Sequence, residues 1–223
     1  MDSLGRLYRM GRQGAMGRDS MPIERWDPAR KVTKHIAWWP MVRTIMGPPI
    51  KGPDGKVATS ISSATMFPLR TEWAVLPDGS VAMVYPSPYR VEVISPDGKR
   101  VRGRNVPFNP VQVTEAYRNW IAKVRGPIPR ENFPATLPPF EDAGAVLASI
   151  AGEIWVGRTR DWNDSIPKYD IFDKQGALVG RSTLRPHSRV IGFGRGVVYV
   201  ARQSVEDDFW HLEQYRVTTS FGP

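Results

Sequence analysis

Residue types that commonly carry catalysis or bind metal are few and scattered in this sequence. The three histidines, His35, His187 and His211, lie far apart and lack the spacing of metal ligands. The sequence contains no cysteine, so it has neither a disulfide framework nor thiol chemistry. It also contains no HExxH, GxSxG or P-loop motif. We therefore expect the histidines to be structural, and we predict no catalytic residue and no cofactor.

Acidic residues gather in two regions that could bind a divalent cation. The first contains Asp161, Asp164, Asp170 and Asp173, and the second runs from Glu206 to Asp208. Carboxylates are the ligands that calcium prefers, so a hydrolase or lactonase with a metal in a central channel is one alternative. The simpler interpretation is that these residues lie mainly in turns, where Asp is favoured.

The segment Gly192–Gly196 (GFGRG) superficially resembles a glycine-rich phosphate loop. A phosphate loop leads into a helix, whose N-terminus binds the anion. Here two apolar segments that alternate like strands flank the glycines, and no helix is predicted after them. We therefore predict that Gly192–Gly196 is part of a β-hairpin.

Hairpin patterns of two kinds alternate along the chain. Inner hairpins consist of two apolar strands joined at a glycine, which supplies the positive φ of a tight turn. They are predicted over Asp2–Met10, Trp73–Tyr85, Val146–Arg158 and Val190–Arg202. Outer hairpins alternate apolar and polar residues and follow at Ile23–Ile36, Tyr89–Val101 and Lys168–Val179.

One inner and one outer hairpin together form a four-stranded antiparallel unit. A series of such units is typical of a β-propeller, whose blades are four-stranded sheets. We predict an all-β chain that forms a partial propeller of about four blades, and a sandwich of short strands is the alternative. The predicted blades cover residues of about 1–40, 70–108, 144–186 and 188–217, with insertions at 41–69 and 109–143.

The last unit is incomplete, because a third strand is predicted over Phe209–Val217 and no fourth one follows. An unpaired strand edge tends to pair with other chains. We therefore expect that the ring closes imperfectly, that another protein covers the edge, or that the chain is a fragment of something larger.

One amphipathic helix is predicted, over Thr114–Arg125. Thr114 can cap its N-terminus, and Gly126 follows its last turn. Tyr117, Trp120, Ile121 and Val124 share one face. We expect this face to pack on the chain itself, with docking on a partner as the alternative. Two further segments, Gly11–Met21 and Pro40–Phe67, are predicted to be loops.

The net charge of +9 is unevenly distributed. Residues 1–56 contain 11 Lys/Arg and 5 Asp/Glu, and residues 99–130 contain 8 and 1, which leaves the remainder mildly acidic. Such basic regions suggest an acidic protein surface or anionic lipid head groups as partner. Nucleic acid is not expected, because no RRM, OB or helix-turn-helix pattern is present. The candidate partner-binding residues are Arg9, Arg12, Arg18, Lys31, Lys34, Trp38, Trp39, Arg102, Arg104, Arg118, Trp120 and Lys123.

Several segments resemble exported six-bladed β-propeller proteins of the bacterial phylum Gemmatimonadota. They are Asp2–Tyr8, Asp19–Asp27, Trp73–Pro88, Lys168–Gly180 and Val190–Val217. The chain looks like the C-terminal four blades of that family and lacks its signal peptide. The resemblance implies no catalytic residue. More weakly, the chain resembles a membrane-extrinsic subunit of a photosynthetic reaction centre–antenna complex from that phylum.

We expect a non-enzymatic, membrane-extrinsic scaffold subunit that binds other subunits of a membrane complex. The resemblance favours the periplasmic side, with the cytoplasmic face as the alternative. Besides the metal-dependent hydrolase or lactonase, a propeller module that binds a small ligand or peptide remains open.

Overall fold

The computed structural model describes residues 1–11, 19–40, 49–51, 57–59, 66–140 and 144–217. The prediction of an all-β chain with one helix is confirmed. The described residues form four antiparallel sheets of three or four strands, a two-stranded hairpin and one α-helix.

Sheet 1 contains β1 (Leu7–Met10), β2 (Ser20–Asp27) and β3 (Val32–Pro40), in that order. The predicted outer hairpin is confirmed and extends beyond Ile23–Ile36 at both ends. Ser20 and Met21 belong to β2, so the loop predicted over Gly11–Met21 is wrong at its C-terminal end. Residues 12–18 of that loop lie outside the described residues.

The predicted inner hairpin over Asp2–Met10 is wrong, because a turn and no strand precedes β1. The Asp2 carboxylate accepts hydrogen bonds from the backbone N–H groups of Leu4 and Arg6, each at 3.0 Å. A short acidic side chain that bonds its own backbone competes with a strand ladder. Gly5 completes the turn with a φ of 73°.

A short hairpin lies within the segment Pro40–Phe67, which was predicted to be irregular. It consists of β4 (Pro49–Lys51) and β5 (Val57–Thr59). The residues on either side of it, and between its strands, lie outside the described part of the chain.

Sheet 2 is a four-stranded meander that contains both hairpins predicted for it. Its strands are β6 (Glu72–Val75), β7 (Val81–Pro86), β8 (Tyr89–Ile94) and β9 (Arg100–Arg102). The inner turn contains Gly79, whose φ of 87° is the backbone conformation that the sequence predicted for a turn glycine.

The α-helix, α1 (Glu115–Arg125), is confirmed with both of its predicted caps. The Thr114 hydroxyl accepts the backbone N–H of Tyr117, and Gly126 ends the helix with a φ of 87°. Tyr117 and Ile121 are buried against Val113 and Leu137, and Trp120 is half-buried. Val124 was predicted on the same face but is exposed, so the buried stripe is narrower than predicted. The helix thus packs on the chain itself.

Sheet 3 follows the helix and repeats the meander of sheet 2. Its strands are β10 (Val146–Ala148), β11 (Ile154–Gly157), β12 (Lys168–Phe172) and β13 (Leu178–Thr183). Both predicted hairpins are confirmed here as well.

Sheet 4 has three strands, β14 (Ser188–Gly194), β15 (Val197–Gln203) and β16 (Trp210–Arg216). The inner hairpin and the single additional strand are confirmed, and the glycine-rich segment Gly192–Gly196 is part of the hairpin, as predicted.

The sheets stack in chain order, and each contact is a separate apolar core. Ile23 of sheet 1 packs with Met83 of sheet 2. Val91 of sheet 2 packs with Phe172 of sheet 3. Trp155 of sheet 3 packs with sheet 4 in a third core, whose buried members are Trp155, Tyr169, Val190, Val198 and Val200. Among the described residues, no such core joins sheet 4 to sheet 1.

Sheets 2 and 3 approach each other closely at two glycines. A Cβ atom built on Gly103, which follows β9, would lie 2.1 Å from the carbonyl oxygen of Gly176. Gly176 itself has a φ of 72° in the turn between β12 and β13. A side chain at Gly103 would therefore force the two sheets apart.

Candidate binding surfaces

The four sheets share two opposite ends, which position the candidate residues differently. At the first, which we call the hairpin end, the β6–β7 turn meets the β12–β13 turn through an ion pair of Asp78 and Lys174 at 3.0 Å. At the other, the helix end, Trp120 of α1 stacks on Trp162 in the loop between β11 and β12, with ring centroids 6.1 Å apart.

A set of exposed apolar side chains, which we call the sheet 4 patch, lies on the last sheet. It consists of Val205, Phe209, Trp210 and Leu212, all of them more than half exposed. Leu212 pairs with Ala201 on the face of sheet 4 that points away from sheet 3, because the neighbouring position Val200 is buried toward sheet 3. The other three residues lie in or next to the β15–β16 turn at the helix end.

A second exposed set, the sheet 1 patch, consists of Leu7, Trp26 and Trp38. Leu7 pairs directly with Trp26 across β1 and β2, on the face of sheet 1 that points away from sheet 2. Beside them, Glu24 forms ion pairs with Arg9 at 3.0 Å and, when the histidine is protonated, with His35 at 3.4 Å. Both terminal sheets therefore present apolar side chains on their outer faces.

The two adjacent tryptophans of β3 have different environments. Trp38 is exposed and contacts the ring of His35 edge-on. Trp39 points the other way, packs in the core between sheets 1 and 2, and donates its indole N–H to the carbonyl oxygen of Thr71. Trp39 thus packs between sheets, and only Trp38 lies on an exposed face.

The basic candidates divide between two places on the molecule. Lys31 and Lys34 are exposed on or beside β3, and Arg102 and Arg104 are exposed on or beside β9. These are the outermost strands of neighbouring sheets, so the basic residues line the outer edge of sheets 1 and 2. Glu92 partly compensates this charge, since its carboxylate lies 3.6 Å from Arg102.

The remaining candidates lie on the helix or outside the described residues. Arg118 pairs with Glu115 at 2.9 Å and is half-buried, whereas Lys123 is exposed. Trp120 is half-buried at the helix end, so the structure does not bring the helix residues together with those of β3 and β9. Arg12 and Arg18 lie outside the described part of the chain.

Sequence reasoning missed a group of residues at the helix end. Three cavities of about 370, 290 and 520 Å³ are all lined by Arg160. Arg158 and Arg189 line two of them each, and the guanidinium of Arg189 lies 4.9 Å from the ring centre of Trp210. This combination of cations and aromatic rings can bind an anionic or aromatic ligand.

Local contacts fix the loop that carries Arg160. Arg160 donates to the backbone oxygen of Asp164 at 2.9 Å, and Lys168 donates to the carboxylate of Asp164 at 2.7 Å. The hydrogen bond from Lys168 is the main reason why the pKa of Asp164 is lowered from 3.8. Asp164 is therefore ionised at neutral pH and holds both basic side chains beside the cavities.

The acidic residues considered for a metal site have other partners. Asp170 is buried and accepts hydrogen bonds from the hydroxyl of Tyr89 and the guanidinium of Arg181, each at 3.0 Å. Asp173 accepts backbone N–H groups in its turn, as predicted for a turn Asp. Within the described residues, no group of three or more His, Asp or Glu side chains could hold a metal ion.

No family model matches the sequence, and no curated protein is similar to it. In the described part of the chain, no helix is both long enough and apolar enough to cross a lipid bilayer.

Proposed function

We propose that this chain is a non-enzymatic docking subunit built as a partial β-propeller. Three features support the propeller arrangement. The sheets stack face to face in chain order, their strands follow one another as meanders, and the innermost strands β6 and β10 of sheets 2 and 3 lie side by side. A sandwich would instead pack only two sheets against each other.

The sheet 4 patch is the observation that carries the docking function. Leu212 and Phe209 are each 69% exposed, and Trp210 is 53% exposed beside them. Several large exposed apolar side chains on one part of a surface favour a protein contact, and tryptophan is among the residues that contribute most to such contacts. The sheet 1 patch gives the molecule a second surface of the same kind at the other end of the stack.

The proposed partners are other subunits of a membrane complex. The basic outer edge of sheets 1 and 2 suits an acidic protein surface or anionic lipid head groups. The sequence resemblance favours a complex of a photosynthetic reaction centre with its antenna, on the periplasmic side of the membrane. The chain would stabilise this complex from outside the bilayer.

The experiment is affinity purification of the tagged chain from its own cells under mild detergent. We expect partner subunits to co-purify in fixed ratio and to be reduced by about tenfold or more in Leu212→Glu, the loss that ~1.4 kcal/mol of binding energy corresponds to. Val124→Glu is the matched control, because Val124 is a similarly exposed apolar residue on the helix. Purification of the chain without any partner in all three forms would refute the docking function.

Washing membranes with salt distinguishes a contact held by the basic edge of sheets 1 and 2 from a contact held by the apolar sheet 4 patch. At about 1 M salt the screening length falls to ~3 Å, so a contact made by Lys34 and Arg102 would be released from membranes. A contact made by the sheet 4 patch would persist.

The helix-end cavities favour a second candidate function, a module that binds a small anionic ligand or peptide. Arg160 lines all three cavities, and Trp162 and Trp210 are exposed beside it. Isothermal titration of the chain with short acidic peptides that contain an aromatic residue tests this candidate, with Arg160→Ala as the variant and Arg195→Ala as the control.

For the hydrolase or lactonase, the test is metal analysis of the purified chain with a thermal shift in calcium and EDTA.

A further inference from the structure

One edge of sheet 4 has no strand beside it among the residues that the structure describes. In the described part of the chain β16 pairs with β15 on one side only. Val217 donates its backbone N–H to the carbonyl oxygen of Gly196 on that side. Because backbone groups alternate along a strand, the N–H and C=O groups of Tyr215 and Glu213 also point toward β15. The N–H and C=O groups of Leu212, Gln214 and Arg216 therefore point to the open edge. In sheets 2 and 3, β9 and β13 cover the equivalent edge.

A groove of about 470 Å³ runs beside this edge, between β13 and β16. Its floor is apolar, with Trp155, Ile171 and Val198 among the lining residues. The groove is deep because Gly180 pairs with Ile171 and Ser182 pairs with Tyr169, so that two small residues of β13 face sheet 4. An unpaired edge and an apolar trough thus lie next to each other.

The rim of the groove is basic. Arg185 and Arg216 line it and are exposed. The carboxylate that lines it, Glu153, already accepts the indole N–H of Trp155 at 3.1 Å. The groove therefore favours an occupant that carries negative charge.

We propose that the groove between β13 and β16 is a strand-addition site. It takes an extended segment of a partner protein, with apolar side chains at alternate positions and acidic side chains between them. This inference rests on the proposed docking function and specifies how one partner binds. The added strand pairs with β16 as β13 pairs with β12, and its apolar side chains fill the space above Gly180 and Ser182.

The geometry favours an extended segment over a compact ligand. Along β16 the free backbone groups recur at every second residue, about 7 Å apart, and only an extended backbone repeats its own donors and acceptors at that interval. β16 is 7 residues long, so a segment of similar length can pair along its whole edge.

The binding test uses a labelled peptide of seven residues, Thr-Val-Glu-Val-Glu-Val-Thr with blocked ends, and fluorescence anisotropy on the full chain. We expect saturable binding. Replacing both glutamates by lysine should weaken it through the basic rim, and N-methylation of the first glutamate should weaken it through the loss of a backbone N–H that faces β16, each by about tenfold or more. Equal binding of all three peptides would overturn the proposal.

Two pairs of variants locate the site on the protein. Gln214→Pro removes a free-edge N–H and is tolerated on an edge strand, whereas Gln214→Ala keeps that N–H. Gly180→Val fills the groove, where its Cβ would meet only ordinary contacts near Ile171. Its control is Gly192→Val, whose Cβ would meet nothing within 4 Å. We expect the first member of each pair to lose about tenfold in affinity or more, and the control to lose less than about twofold.

Each further outcome has a distinct meaning. If removal of residues 218–223 tightens peptide binding strongly, the chain's own C-terminal segment occupies the groove and the proposal is overturned. If the peptide fails to bind but partners co-purify in a Leu212-dependent way, strand addition is wrong and the docking function stands. If the peptide binds through Gly180 and Gln214 but no partner co-purifies, the site is supported and the membrane-complex function is refuted.

Discussion

Two regions of the molecule are built from strands with similar apolar side chains. One is the contact between sheets 2 and 3, and the other is the outer side of sheet 4, but the side chains of the first are buried and those of the second are exposed. Between sheets 2 and 3, Val91, Ile154 and Phe172 have no exposed surface. On the outer side of sheet 4, Trp210 and Leu212 are more than half exposed. The apolar pattern of a strand therefore indicates which face could be buried, and only a neighbouring sheet makes it buried.

The two regions also differ in their polar contacts. Between sheets 2 and 3, Tyr89 and Arg181 both donate to the buried Asp170, and Gly103 and Gly176 set the distance between the sheets. Such contacts accept one arrangement only, because a buried carboxylate without donors is costly. On the sheet 4 patch, Arg189 over Trp210 is an exposed cation–π contact that a partner can rearrange. The first region thus determines the fold, and the second is available for docking.

Truncation of Phe172 should lower the free energy of unfolding more than any other change proposed for these two regions. Phe172→Ala removes a fully buried ring between sheets 2 and 3, so we expect the free energy of unfolding to fall by about 3–5 kcal/mol. Urea denaturation followed by tryptophan fluorescence measures it. Leu212→Ala on the sheet 4 patch should change the free energy of unfolding of the isolated chain by less than about 0.5 kcal/mol.

If Phe172→Ala does not fold, Phe172→Leu keeps the measurement possible, with an expected loss of about 1.5 kcal/mol or less. Equal losses at Phe172 and Leu212 would contradict the distinction between a covered and an uncovered sheet. They would indicate that sheet 4 packs against another part of the chain.

Removal of the Tyr89 hydroxyl should have the next largest effect. Tyr89→Phe deletes a buried hydrogen bond to the Asp170 carboxylate, which corresponds to about 1.5–3 kcal/mol of stability. The pKa of Tyr89 is raised far above 10.0, first by burial and then by the Asp170 charge, so the hydroxyl remains a donor at neutral pH. Urea denaturation at neutral pH is again the measurement.

The control for Tyr89 is Tyr199→Phe, a ring on β15 in the less covered sheet 4, which we expect to be nearly neutral. A loss at Tyr89 no greater than at Tyr199 would show that Arg181 and Arg158 satisfy Asp170 without the hydroxyl. In that case the polar contacts between sheets 2 and 3 would not set this interface apart.

Most of the fold could be predicted from the sequence because its signals are local. A glycine between two alternating segments, as at Gly79 and Gly152, specifies a hairpin with little help from distant residues. The same reasoning failed at Asp2–Met10, because the Asp2 side chain bonds the backbone that a strand would need. Side-chain competition of this kind is invisible to a pattern of apolar residues.

The candidate surfaces could be predicted only in part, because they depend on which sheets become neighbours. Alternation implies that Trp38 and Trp39 point to opposite faces, but not which of the two faces sheet 2 covers. Arg160 follows β11 of sheet 3 and Arg189 lies on β14 of sheet 4, so they line the same cavities only because the two sheets stack on each other. The order of the strands does imply that the loop after β11 and the start of β14 lie at the same end of the sheets. The groove between β13 and β16 requires both sheets and could not be found from either alone.

The contact between sheets 1 and 2 is less buried than the contact between sheets 2 and 3 and more buried than the outer side of sheet 4. Its contribution to the free energy of unfolding should depend on pH. At the hairpin end the hydroxyl of Tyr8 bonds the Asp2 carboxylate at 2.8 Å and the Gly79 carbonyl oxygen at 3.1 Å. Burial, followed by the hydrogen bond to Asp2, raises the pKa of Tyr8 to about 12. Burial alone would raise the pKa of Asp2, but hydrogen bonds from Tyr8 and Arg6 outweigh it, and the pKa is lowered from 3.8.

These directions define the pH range in which the cluster stabilises the fold. The raised pKa of Tyr8 means that its contribution is complete below pH 10 and is lost as the pH rises from 10 to about 12. The lowered pKa of Asp2 means that its contribution is present above pH 3.8 and is lost as the pH falls below that value. Both contributions are therefore present between those limits.

Tyr8→Phe should lower the free energy of unfolding by about 1 kcal/mol at pH 8. This loss is smaller than that of Tyr89→Phe, because Tyr8 is only half-buried. The difference in free energy of unfolding between wild type and Tyr8→Phe should shrink toward zero between pH 10 and 12, as measured by urea denaturation at each pH. Any contribution of the other tyrosines is the same in both proteins and cancels in the difference. A difference that stays constant up to pH 12 would mean that the hydroxyl does not join sheet 1 to sheet 2, and that the core around Ile23 and Trp39 holds the two sheets together without it.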